Sequence, residues 1–141
     1  MYGIALAETC IFFGTSDHHL DCLNDDGAFL WSYQSAGAIY AVAYDRARKR
    51  LVFGAADHLY CVDEKGALVW KERVGKILSL ASDPRSGDLF IGLKSGSVRC
   101  MNQDKEIVWR YEGSQAIRSL FYADYEERVL FTSKSRGHVK R

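Results

Sequence analysis

One short pattern recurs three times along this chain at a constant step, and that repeat constrains the fold more than any other property. Cys22, Cys61 and Cys100 stand 39 residues apart, as do Trp31, Trp70 and Trp109, and each tryptophan follows its cysteine by nine residues. Short alternating apolar stretches and turn residues fill each step. A unit of that length holds one small antiparallel sheet, and repetition of it predicts an all-β fold, a β-propeller with one four-stranded blade per copy.

The second copy shows how a unit is laid out. Ile39 to Tyr44 reads as a first strand ended by Asp45, Leu51 to Gly54 as a second, Leu59 to Val62 as a third and Ala67 to Lys71 as a fourth. Arg46–Arg50, Asp57-His58 and Glu64-Lys65-Gly66 supply the turns between them. The same layout runs through the first and third copies. A fourth begins with Ile117 to Tyr122 and Val129 to Thr132, then ends near the place where its cysteine is expected. The predicted blades are about 2–36, 37–75, 76–115 and a partial 116–141, all in one domain.

The repeated residues have structural reasons to recur. Gly27 and Gly66 close the turn between third and fourth strands, where a positive φ is cheap only without a Cβ. Lys105 takes that slot in the third copy, so its turn is either strained or differently shaped. The tryptophans are broad apolar plates with one N–H, suited to lying against the next blade. Glu8, Asp45, Asp83 and Asp124 each end a first strand, where a short acid bonds the backbone of the turn it starts. The cysteines fall on equivalent strands of different blades, too far apart for disulfide geometry, and are expected to be small buried core residues. Cys10 lies outside the pattern as a candidate free thiol.

Leu20 to Trp31 and Leu59 to Trp70 resemble the repeats of pyrroloquinoline-quinone-type β-propellers, in which a small residue, an apolar residue and Asp or Asn lead to a glycine turn and a docking tryptophan. The resemblance covers nearly the whole chain and implies the propeller fold. Its implication for activity is divided, because the family includes quinone-dependent dehydrogenases and propellers that bind no cofactor. The dehydrogenases imply a pair of adjacent cysteines against the quinone, an aspartate base and a calcium cluster of Glu and Asn. No adjacent cysteine pair occurs in this sequence. No cofactor is therefore expected, and pyrroloquinoline quinone with calcium belongs to the alternative reading.

Candidate binding residues lie on the turns. Asp17-His18-His19 and Asp57-His58 fall between second and third strands of consecutive copies, with Lys94 at the same turn of the third. Two neighbouring Asp-His pairs have the chemistry of a metal or acid–base site. The structural reading is favoured, since histidine tolerates the positive φ such turns need. The basic runs Arg46–Arg50 and Lys134–Arg141 read as solvated faces, and the first lies on the rim opposite the histidine turns. Catalytic elbows, phosphate-cradling loops and zinc spacings are missing from the sequence.

Composition excludes several partner classes. The net charge of +1 gives no overall pull toward nucleic acid or an anionic membrane, and no apolar run approaches the ~18 residues that span a bilayer. Met1 to Thr15 carry no basic leader, and unpaired cysteines fit a reducing compartment, so a cytoplasmic chain is expected unless an exported parent lost its leader. An open arc of blades exposes apolar faces. Three resolutions follow: two copies closing a ring as a homo-dimer, a four-bladed ring lacking one outer strand, or, favoured, a piece of a longer chain. The expected function is a non-catalytic scaffold whose rim loops bind a protein or small ligand, with part of a quinone- or metal-dependent oxidoreductase as the alternative.

Overall fold

The computed structural model describes residues 3–6, 10–123, 128–132 and 137–140, all of them strands, turns and linkers with no helix. The first sheet is β1 (Gly3–Leu6), β2 (Cys10–Gly14), β3 (His19–Asn24) and β4 (Phe29–Gln34). The second is β5 (Ile39–Asp45), β6 (Arg50–Ala55), β7 (His58–Asp63) and β8 (Leu68–Arg73). The third is β9 (Ile77–Ser82), β10 (Leu89–Leu93), β11 (Ser97–Met101) and β12 (Ile107–Glu112). Each of these is a four-stranded antiparallel meander paired in chain order. A further sheet joins β13 (Ser119–Ala123), β14 (Arg128–Thr132) and β15 (Gly137–Lys140).

The turn between third and fourth strands is built the same way three times. The side-chain oxygen of Asn24 accepts the amides of Asp26 and Ala28, Asp63 those of Lys65 and Ala67, and Asn102 those of Asp104 and Glu106, at 2.9–3.0 Å. An Asx side chain thereby does the work of a backbone turn. Gly27, Gly66 and Lys105 follow at φ 83, 85 and 63, so Lys105 keeps the glycine shape and carries its strain. A register shift after each repeated cysteine sets Cys22 opposite Trp31, Cys61 opposite Trp70 and Cys100 opposite Trp109. The extra residue of each bulge, Leu30, Val69 or Val108, is exposed.

Contacts between sheets repeat as faithfully. Gly14, Gly54 and Gly92 on the second strands receive Ile39, Ile77 and Ile117, which lead into the next sheet. A Cβ on Gly54 would lie 2.6 Å from Cβ of Ile77, so only a residue without a side chain admits the isoleucine. Past each fourth strand the chain is pinned by its backbone: Ser35, Val74 and Gly113 donate their amides to the carbonyls of His18, Asp57 and Gly96 at 2.8–2.9 Å. Trp31 bridges the first two sheets, its Nε1–H donated to the Glu64 carbonyl at 2.8 Å and its ring lying against Gly66. Trp70 lies under Lys105, whose Nζ is 5.3 Å from the ring centre.

Apolar clusters form between the sheets, two of them large among the described residues. Phe12, Leu20 and Cys22 of the first sheet pack on Val42, Leu51, Phe53 and Val62 of the second, with Trp31 and Tyr33 at the margin. The other face of the second sheet, with Val52, Leu59 and Cys61, packs on Ile77, Leu89, Ile91 and Met101. The fourth strands have only one sheltered side, and alternate exposed with half-buried residues.

Several expectations are refined. The last unit has a third strand: Val139 pairs with Leu130 in the register that Cys22 keeps with Phe12. Its first strand opens at Ser119, with Ile117 in the preceding linker. Asp45 and Asp83 do bond the turns they begin, through the amides of Arg48 and Arg85. Glu8 and Asp124 lie outside the described residues. The basic run is not simply a solvated face, since Arg48 reaches Oδ2 of Asp45 at 3.0 Å and is half-buried between the second and third sheets.

Candidate functional site

The backbone bonds at the rim fix which residues of the candidate turns are equivalent. His18, Asp57 and Gly96 share the slot whose carbonyl ties down the following linker, and His19 and His58 share the next. Asp17 therefore corresponds to Ala56, and the two Asp-His pairs are offset by one position. In the first turn His18 adopts φ 67, as expected of a histidine replacing glycine. In the second the expectation fails. Ala55 pairs with His58, leaving Ala56 and Asp57 as a two-residue turn, so Ala56 takes the positive φ of 53 and His58 is the first residue of β7. Extending β6 by one pair tightens the loop and moves the strained position.

The candidate side chains go different ways. Asp17 and His18 are exposed. The His19 ring Nδ1 lies 3.3 Å from Oγ of Ser32, which donates to Asp21 at 2.7 Å, all on the outer face of the first sheet. The His58 ring packs 6.0 Å from Tyr60, itself stacked on Phe53 at 5.1 Å. Lys94 is exposed, and its amide donates to the Lys76 carbonyl. Asp57 lines a hollow. That hollow, of about 340 Å³, sits where the linkers after the first and second sheets meet the β6–β7 turn, and Tyr40 and Lys76 line it too. Lys76 Nζ stands 5.4 Å above the Tyr40 ring. An aromatic face, a cation and a carboxylate thus border one recess, a set suited to a small polar ligand or a protein side chain.

The opposite rim has its own small recess of about 50 Å³, lined by Asp45, Arg48, Arg50, Gly87 and Gln103 among others. Arg48 approaches Gly87, which holds φ 78, and Gln103 donates to the Ser86 carbonyl. Asp45 pairs with the arginine, and the basic run and the histidine turns line different recesses.

The repeated thiols are buried at 0–2 % exposure. Burial pushes the Cys22 thiol up to about 12, helped by the adjacent Cys10 thiol, the Cys61 thiol to about 11 and the Cys100 thiol to about 12. A neutral thiol is a poor nucleophile and a poor metal ligand, so these positions act as packing residues. Cys10 is half-buried. Among the described residues no three of His, Cys, Asp and Glu come together in a way that could hold a metal ion. The sequence has no adjacent cysteines, and among the described residues no carboxylate cluster of the kind the resemblance implies for calcium comes together.

Tyr40 and Lys76 were not legible as site residues, because a strand tyrosine and a linker lysine carry no motif. Asn24, Asp63 and Asn102 do carry a signal, recurring at 39 residues like the cysteines. No protein-family model matches this chain, and none of the curated proteins is significantly similar to it.

Proposed function

We propose that the chain is a β-propeller module of the pyrroloquinoline-quinone-type repeat kind, acting as a non-catalytic scaffold that binds a protein or small ligand at its rim. One observation carries the reading. The backbone bonds from 35, 74 and 113 to 18, 57 and 96 are the same in all three sheets although the residues accepting them are His, Asp and Gly. The framework is therefore independent of the rim side chains, which leaves them free to serve recognition. A fan of sheets around one axis is supported by the neighbouring first strands. Ile4, Tyr40, Leu78 and Arg118, from β1, β5, β9 and the approach to β13, line one hollow of about 330 Å³. The hollow bordered by Tyr40, Asp57 and Lys76 is the proposed binding place, and ring completion falls to further units of the same repeat.

Titration with pyrroloquinoline quinone and Ca²⁺, read by absorbance and by thermal shift, tests the non-catalytic reading. No saturable change is expected, and a saturable cofactor band would replace the scaffold with the oxidoreductase alternative. Immobilised chain and its Tyr40→Ala, Lys76→Ala variant provide the positive test. A ligand retained by both equally well does not use this recess, and that result would sink the proposed site.

A further inference from the structure

The geometry points to an empty tryptophan socket on the outer face of the first sheet, built to receive a partner sheet of this same repeat. The second sheet shows the occupied form. There the turn Glu64-Lys65-Gly66, held by Asp63, carries the Trp31 indole: a Cβ on Gly66 would meet the ring at 2.9 Å, and the Glu64 carbonyl accepts its Nε1–H. In the first sheet the turn Asp25-Asp26-Gly27 is held by Asn24 through the same two bonds, and Gly27 adopts φ 83 against 85 for Gly66. Among the described residues, a Cβ on Gly27 meets nothing within 4 Å. The Asp25 carbonyl stands where the Glu64 carbonyl stands.

Most of the face around the socket matches as well, with Asp21 standing where the second sheet has the buried Tyr60. By register Ile4, Leu6, Ile11, Phe13 and Leu23 correspond to Val42, Tyr44, Leu51, Phe53 and Val62. The latter set packs against the first sheet, with Leu51, Phe53 and Val62 at 0–1 % exposure. In the former set Ile4 is 56 % and Leu6 64 % exposed, and the other three are half-buried. Five apolar side chains in an interior pattern, with a shaped turn beside them, specify a sheet that presents an indole. A second copy of this chain is a poor occupant: Trp31 is spent on Gly66, Trp70 packs in the second core under Lys105, and Trp109 packs with Phe90, Val129 and Leu120. The inference rests on the stacking of like sheets, not on the rim function, so a failed ligand test at the rim leaves it standing.

The full chain extended by a copy of residues 37–76 ahead of Met1 tests it, because Met1 then takes the slot of Ile77. The added indole Nε1–H is expected to exchange with solvent at least tenfold more slowly than in the same protein carrying Gly27→Asn, since asparagine tolerates the turn and fills the socket. Equal exchange in the two would overturn the proposal. Titration of the unextended, isotope-labelled chain with 3-methylindole needs no added unit to fold. It should move the amide resonances of residues 25–28, and Gly27→Asn should abolish the shift; no movement in the parent counts against the socket. Should the unextended chain double its mass in sedimentation equilibrium, and lose that association on Gly27→Asn, a second copy is the occupant and the partner named here is wrong.

Discussion

Gly54→Ala isolates the contact on which the stacking of sheets depends. The glycine sits in the middle of the second sheet with an ordinary φ, so the substitution brings no turn strain. Left to backbone entropy alone, it should stabilise the chain by about 0.4–1 kcal/mol. The structure predicts the opposite sign. The new methyl would lie 2.6, 2.9 and 3.1 Å from Cβ, Cγ2 and Cδ1 of Ile77, and the nearest of these is anchored to the backbone and unable to swing away. Overpacking of that kind costs about 1–3 kcal/mol, enough to outweigh the entropic gain. Ile77, 2 % exposed, should lose about 2–5 kcal/mol when cut to alanine. The two changes together should cost at least about 1 kcal/mol less than their sum, because the space vacated by one receives the methyl of the other. Urea unfolding followed by circular dichroism measures all four proteins, with unchanged m-values as the check that only the folded state is altered. A neutral or stabilised Gly54→Ala, or strict additivity in the double variant, would refute the claim that this glycine exists to seat the isoleucine.

Two further predictions concern titration and thiol access. The amides of Ala67 and Lys65 hold the Asp63 carboxyl below its usual value, so its contribution is present above the carboxylate's unfolded pKa and is lost as pH falls through the lower folded one. Asn24 and Asn102 make the same turn without titrating, so Asp63→Asn should flatten the decline of stability below about pH 4, the ordinary carboxylate range, and leave neutral-pH stability little changed; an unaltered acid limb in urea titrations at several pH values would refute this. A chromogenic disulfide reagent at pH 8 should find Cys10 first and reach Cys22, Cys61 and Cys100 only as fast as the chain opens, since those three are buried and neutral. Four thiols reacting together in native buffer would show that the repeated cysteines are not packed as described.

The repeat itself was legible because the bonds that shape the recurring turn are local. The Asx turns at Asn24, Asp63 and Asn102, the opposed cysteine and tryptophan, and the glycine turn all join residues less than a dozen apart. Each unit solves the same local problem with the same residues, and so the step of 39 persists. The position of the strained rim residue was misread because strand length decides it: one added pair, Ala55 with His58, moved the positive φ from His58 to Ala56.

By itself, then, the sequence determined an all-β chain of repeated antiparallel sheets with buried thiols, since alternation and turn chemistry act over neighbouring residues. Only the tertiary structure decided how the sheets meet. The glycines that receive the leading isoleucines are spaced 40 and 38 residues apart and the isoleucines 38 and 40, so the pairs drift out of the period and no repeat scan aligns them. Arg48 turning inward to Asp45, Lys76 standing over Tyr40, and Gly27 open where Gly66 is filled are likewise facts of proximity between segments far apart in the chain. Local propensity cannot encode them, because each depends on where a second sheet lies.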